Sequence, residues 1–274
     1  MKTTEFKSNE IDGALAGPGS GEYGAAVSMS EEFTFNLEID SSAFNDQVLS
    51  ENMLGATSIA AGVITGSLAI VNSTFNEPIV LDGLGAHPPM VYVDDFDAEG
   101  VFTVAHSTFI GDYAIRVNEN EGGTWTISHS AFDSATDAHP INTDDSDIPT
   151  DYSAFSAIDP GEVDDVTGNK IGVGLLLGAY GYNGGPTQTA VPLTGSPLID
   201  TGNPAAVNPP EFDQRSVGFD RVVRIIDIGA VEVQVPALAA TGSTTPWWAS
   251  AVGILLLLGG ALTVMVRTRA RAQR

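Results

Sequence analysis

His106-Ser107-Thr108-Phe109 and, 23 residues later, His129-Ser130-Ala131-Phe132 are two copies of one phrase, and that phrase decides the fold. It stands as Ser41-Ser42-Ala43-Phe44 and Asn72-Ser73-Thr74-Phe75 before them, and more loosely as Tyr152-Ser153-Ala154-Phe155 after them. The phenylalanines lie 31, 34, 23 and 23 residues apart. A phrase returning at such intervals marks a repeat architecture. A unit of about 23 residues, lengthened where a loop is inserted, fits one coil of a parallel β-helix. Ahead of each phrase runs a β-prone stretch of alternating character: Phe33–Ile39, Ser67–Val71, Val101–Val104 and Thr124–Ile127. Alternation puts every second side chain inside. Within the phrase, Ser and Phe are two apart and share the inner face, while Ala or Thr points out.

The residue before the repeated serine is Ser, Asn, His, His and Tyr in turn. Asn and His tolerate the left-handed backbone region, so this position predicts a bend between two short strands. Stacked coils then bring Phe44, Phe75, Phe109, Phe132 and Phe155 into one internal ladder. An antiparallel sandwich also has many short strands, but it gives no reason for one phrase to return at one place. The expected fold is all-β, with about four to five parallel coils over residues 23–160. Residues 1–22 read as an unstructured lead. No polar cap precedes the first coil, and an open coil exposes unpaired edges. Residues 1–24 also lack the apolar run of a signal peptide. Both observations predict that this chain is the C-terminal part of a longer exported protein or begins at a misplaced start.

From Asp159 the repeat stops and other phrases follow, over a region bounded at 161–235. They are Asn183-Gly184-Gly185-Pro186-Thr187-Gln188-Thr189, Gly195-Ser196-Pro197-Leu198-Ile199-Asp200-Thr201-Gly202, Asp213-Gln214-Arg215 and Asp227-Ile228-Gly229-Ala230-Val231-Glu232. In this order they resemble the choice-of-anchor Q domain, which ends right-handed β-helix surface proteins. Ser216 departs from the family, which usually has glycine there. The resemblance implies a right-handed helix, a loop-rich closing region and an anchor after it. Read physically, Asn183–Pro186 is a turn, Ser196–Asp200 a short strand, and Arg215 with Asp227 a charge-paired staple. The region is expected to cover the open C-terminal end of the coils.

The anchor is sought in residues 236–274. Pro246–Val266 holds 21 residues without a charge, about 31 Å as a helix and so the span of a bilayer core. Trp247 and Trp248 stand at one end, and Arg267, Arg269, Arg271 and Arg274 at the other. This is the arrangement of interface anchors and a cytoplasmic flank. Just ahead lies Leu238-Ala239-Ala240-Thr241-Gly242. With the apolar span and the basic tail it resembles the cell-wall sorting signal of Gram-positive bacteria, Leu-Pro-x-Thr-Gly, with Ala239 replacing proline. The resemblance implies that a sortase cuts between Thr241 and Gly242 and joins Thr241 to peptidoglycan. The alternative is a single-pass membrane anchor without processing.

Four of the 11 basic residues lie in that tail, which leaves seven against 35 acidic residues ahead of the cut, a balance of −28. Such a chain repels nucleic acid and anionic surfaces. Cysteine is absent, so disulfides and thiolate metal sites are excluded. A β-helix can house a polysaccharide lyase or glycosidase, which needs facing carboxylates. Two acidic runs, Asp94–Gly100 and Thr143–Asp147, lie in insertions and read as solvated turns. Asp95, Asp97 and Glu99 are the calcium candidates, at alternate positions, although the twelfth position from Asp95 is His106. His106 and His129 share the bend register and read as corner residues. No catalytic residue and no cofactor is assigned. The reading is a cell-surface, wall-anchored display or adhesion protein whose partners are sortase, peptidoglycan, and a surface carbohydrate or a host or neighbour-cell ligand. A β-helix enzyme is the alternative.

Overall fold

The computed structural model describes residues 3–7, 10–12, 24–29, 36–45, 56–76, 89–135, 139–143, 148–159 and 163–234. Seven successive turns are seen among them. The first three are β1 (Thr3–Lys7), β2 (Glu10–Asp12), β3 (Gly24–Met29); β4 (Asn36–Asp40), β5 (Ala43–Asn45), β6 (Ala56–Ile64); and β7 (Ser67–Val71), β8 (Thr74–Asn76), β9 (Val91–Phe96). The next two are β10 (Val101–Ala105), β11 (Thr108–Ile110), β12 (Ile115–Val117) and β13 (Thr124–Ser128), β14 (Ala131–Asp133), β15 (Ile141–Thr143). Two-stranded turns follow: β16 (Ile148–Asp151) with β17 (Ala154–Phe155), and β18 (Val163–Thr167) with β19 (Lys170–Ile171). The first strands of the turns form one parallel sheet, the second strands another and the third strands another. This is the arrangement of a parallel β-helix. We call the three the first, second and third sheets.

Alternation fills the interior as expected. Leu37, Leu68, Phe102 and Trp125 stack in register from the first sheet, with Ile39, Ile70, Val104 and Ile127 beside them. Ile59, Val91, Ile115 and Ile141 do the same from the third. Phe44, Phe75, Phe109, Phe132 and Phe155 form the second sheet's inner column, with ring centroids 4.6–4.9 Å apart and planes within 6°. All five are buried.

The serine two residues before each phenylalanine is also buried, and its role is a hydrogen-bond one. The backbone ladder reverses direction at the corner. His106 N–H donates to the turn after it, whereas Thr108 N–H donates to the turn before it. Ser107 N–H, between them, donates to the Ser130 hydroxyl at 3.2 Å, and the Ser107 hydroxyl donates to its own Ala105 carbonyl at 3.0 Å. The same pair of bonds recurs at Ser42, Ser73 and Ser130. A buried N–H must find a partner, and here a hydroxyl supplies it.

The repeat is longer than the phrase suggests. Part of the lead 1–22 is strand: β1 and β2 pair with β4 and β5, placing Ile11 opposite Phe44. After Asp159 one more turn follows, placing Ile171 opposite Phe155. Both end turns carry isoleucine at the phenylalanine position. The last one also replaces serine by Asn169, whose Oδ1 accepts from Ser153 N–H at 2.7 Å. Chemistry is preserved while the phrase is lost.

The closing region departs from expectation in placement. Instead of covering the end of the stack, it runs back along the outer face of the second sheet. Ala43, Thr74, Thr108, Ala131 and Ala154 point outward there and are buried beneath it. Leu175, Leu198 and Ile228 pack on Ala131 and Ala154. Gly229, at φ 101°, lies so close that a Cβ would stand 2.8 Å from Thr108 Oγ1. Small side chains at the outward position are what permit this approach. Ser196–Asp200, read as a strand, is a series of turns. The Ser196 hydroxyl donates to Leu175 O and accepts from Leu198 N–H, a side-chain turn that competes with extension. A two-stranded antiparallel pair, β20 (Gly181–Tyr182) and β21 (Gln188–Thr189), flanks the Asn183–Pro186 turn.

This folded unit ends at Gln234. Residues 235–274, with the sorting motif, the apolar span and the arginines, lie outside the described residues. Among the described residues no helix is long and apolar enough to cross a membrane.

Candidate functional site

The bend residues form a corner column on the outside of the coils. Ser41, Asn72, His106, His129 and Tyr152 all have positive φ, between 44° and 52°. The rings of His106 and His129 stack at 4.8 Å, and His129 and Tyr152 at 5.7 Å. Gly168 takes the bend in the next turn, at φ 72°, where a Cβ would press within 2.6 Å of the Tyr152 ring.

The closing region crosses this column at His129. Gly229 N–H donates to the His129 carbonyl at 2.7 Å, and Asn203 N–H donates to its Nε2 at 3.1 Å. An accepting Nε2 means a neutral ring with its proton on Nδ1. Burial, and then the positive charge of Arg221, lower the His129 pKa to about 4. The same causes, with His129 as a third, hold His106 well below its usual value.

Behind the crossing lies a buried polar network made by the phrases around residues 213–232. Arg215 pairs with Asp213 at 2.6 Å, donates to the Glu232 carbonyl and lies 4.0 Å over the Phe219 ring. The staple therefore goes to Asp213 and not to Asp227. Asp227 instead accepts the N–H groups of Asp200 and Val233. Arg221, fully buried, donates to the Asp227 carbonyl. Gln214 Nε2 reaches the Ser42 carbonyl at 3.0 Å, and its Oε1 accepts from Thr74 Oγ1. Glu232 accepts the N–H groups of Val223 and Asp227. Burial nevertheless raises its pKa to about 7, and the neighbouring Asp227 charge adds to that. Removing one partner from a network this enclosed leaves the other buried and unpaired, which is costly. The work of the network is to hold the closing region against the coils.

Two open clefts are seen among the described residues, at opposite ends of the second sheet's strands. The larger, about 430 Å³, is lined by Thr126, Ile127, Ser128, Pro149, Thr150, Asp151, Tyr152 and Asn203. Strand β18 carries a bulge here, between the partners of Thr150 and Asp151. Bulges commonly accompany binding sites because they re-aim side chains. The smaller, about 230 Å³, is lined by Asn76, Ile110, Gly111, Asp133 and Ala135. Burial raises the pKa of both Asp133 and Asp151. Among the described residues one carboxylate lines each cleft, whereas glycoside hydrolysis uses two facing each other.

Of the calcium candidates, Asp95 lies near the end of β9 while Asp97 and Glu99 stand exposed in the turn after it. Among the described residues no three His, Asp or Glu side chains gather as a metal site. Asp144–Asp147 lie outside the described residues, as do Leu238, Ala239, Ala240, Thr241 and Gly242 and the tryptophans and arginines beyond them. The larger cleft is not expected from the repeat. The position just before the bend reads Asp40, Val71, Ala105, Ser128 and Asp151 in successive turns, so nothing in the repeat singles out this cleft. No family model, no curated protein and no solved structure matches the chain.

Proposed function

We propose that this chain is a cell-surface protein built of a right-handed parallel β-helix, a choice-of-anchor Q closing region and a sortase sorting signal. The observation that carries the reading is the order of parts at the end. The folded unit stops at Gln234, and Leu238-Ala239-Ala240-Thr241-Gly242, the uncharged span and the arginines follow in sequence. A span of that length halts export in the bilayer until Thr241 is joined to the wall. The role is display or adhesion. The clefts, each lined by a single carboxylate among the described residues, favour display over glycoside hydrolysis, and the abundance of acidic residues keeps an exposed protein soluble.

Fractionation of cells carrying Thr241→Ala tests the reading. The variant is expected to leave the wall fraction and collect in the membrane or the medium. Retention in the wall at the parent's level refutes sortase anchoring. Ala239 decides between the two anchors. Ala239→Pro restores the commoner motif, and wall attachment gained only by that change means that the native tail is a plain membrane anchor.

A further inference from the structure

The larger cleft holds hydrogen-bonding groups that the fold does not use. The hydroxyls of Thr126 and Ser128 and the carboxylate of Asp151 have no side-chain partner among the described residues. Asn203 Oδ1 accepts from Ala205 N–H, which leaves its NH2 group free to donate. Thr126 and Ser128 project outward from β13, because Trp125 and Ile127 between and beside them are buried. Asp151 lies in register with Ser128 on the adjacent strand. Asn203 comes from the closing region and is fixed there by its N–H bond to His129. Three elements therefore converge on one volume with a pure acceptor, a pure donor and two groups that do both. The exposed Pro149 and the edge of Tyr152 add apolar surface beside them.

We propose that this cleft binds one unit of a neutral saccharide. Sugar hydroxyls donate and accept at once, which a mixed set of partners satisfies and a uniformly acidic or basic one does not. About 430 Å³ is within the range of small-ligand sites. A net charge of −24 and a carboxylate in the cleft disfavour uronic acids and other anions. The one carboxylate among the described lining residues is too few for a calcium ion, which takes six to eight oxygens, and too few for hydrolysis. The proposal is therefore one of binding alone. It deepens the display reading by giving it a ligand class, and its biological meaning rests on that reading. Binding itself is measured independently of how the chain is anchored.

The test is saturation-transfer NMR on the full chain in detergent. The probes are methyl glycosides of glucose, galactose, mannose and N-acetylglucosamine, with galacturonate and calcium chloride as separate probes. At least one neutral glycoside is expected to bind, with galacturonate weaker. Asp151→Asn and the exposed, near-isosteric Thr126→Val should each weaken binding about tenfold, the effect of one lost hydrogen bond of about 1.4 kcal/mol. Thr126→Val disturbs nothing buried, so it reads binding even where the other variant is destabilised. The proposal is overturned if no neutral glycoside binds, if both variants bind like the parent, or if galacturonate or calcium alone occupies the cleft in preference. Wall fractionation can fail while this binding stands, and the reverse.

Discussion

Phe109 stacks on Phe75 at 4.8 Å and on Phe132 at 4.9 Å, with both ring pairs within 6° of parallel. Phe155 stacks on Phe132 at 4.8 Å and faces Ile171 on its other side. Both rings are fully buried, so the area term is nearly the same for the two. Phe→Leu keeps most of that burial and removes the ring contacts. Stacked aromatic pairs contribute about 0.5–1.5 kcal/mol beyond area. Phe109→Leu should therefore cost about 1–3 kcal/mol from lost stacking, and Phe155→Leu about 0.5–1.5 kcal/mol. The readout is urea denaturation followed by fluorescence and circular dichroism together. Coincident transitions are required, because long repeat arrays can lose cooperativity. Equal losses at the two positions, or a larger one at Phe155, would refute the ladder as a stacking device and reduce it to bulk burial. Replacing Phe75 and Phe109 together should give a coupling of about 0.5–1.5 kcal/mol.

Ser107→Ala strips the Ser73 N–H of its buried acceptor while leaving the bend at His106, with φ 50°, in place. A loss of about 1–3 kcal/mol is expected in the same denaturation assay, and a change within error would mean that the corner N–H finds another partner. Ser216 has φ 72° in a position where the resembling family has glycine, so Ser216→Gly should raise stability by about 0.5–1 kcal/mol; no gain would mean that the turn is not strained. His129 has a folded-state pKa of about 4 against an ordinary 6.5. Below pH 6.5 the unfolded chain takes up a proton that the folded one refuses, so stability falls as pH drops from 6.5 to 4 and then levels off. The slope from this group is at most about 1.4 kcal/mol per pH unit. Glu232, raised from 4.5 to about 7, acts in the opposite sense, losing stability as pH rises through that window. The difference between parent and His129→Gln isolates the histidine, and an unchanged pH dependence in that variant would refute its part in holding the closing region.

The coils are legible because their chemistry is repeated: serine, then a small residue, then phenylalanine, behind a bend residue. Where Ile11 and Ile171 replace phenylalanine and Asn169 replaces serine, the same positions are filled by different letters, and the first and last turns go unread. The outward Ala and Thr of the phrase are recognisable as outward but not as a docking strip, since sequence shows the size of a side chain and not what covers it. The closing region's phrases are legible as turns, while its path along the second sheet depends on contacts such as Gln214 to Ser42, 172 residues apart. No local pattern encodes a separation of that kind. The larger cleft is hidden for the same reason, since Thr126, Asp151 and Asn203 meet only when the closing region lies against the corner column.

Mass spectrometry of the protein released from purified cell walls by a muramidase tests the surface-anchor assignment most directly. A C-terminal peptide that ends at Thr241 and carries a peptidoglycan fragment is the predicted result. Peptides extending through Gly242 into the apolar span, with Thr241 unmodified, would contradict it.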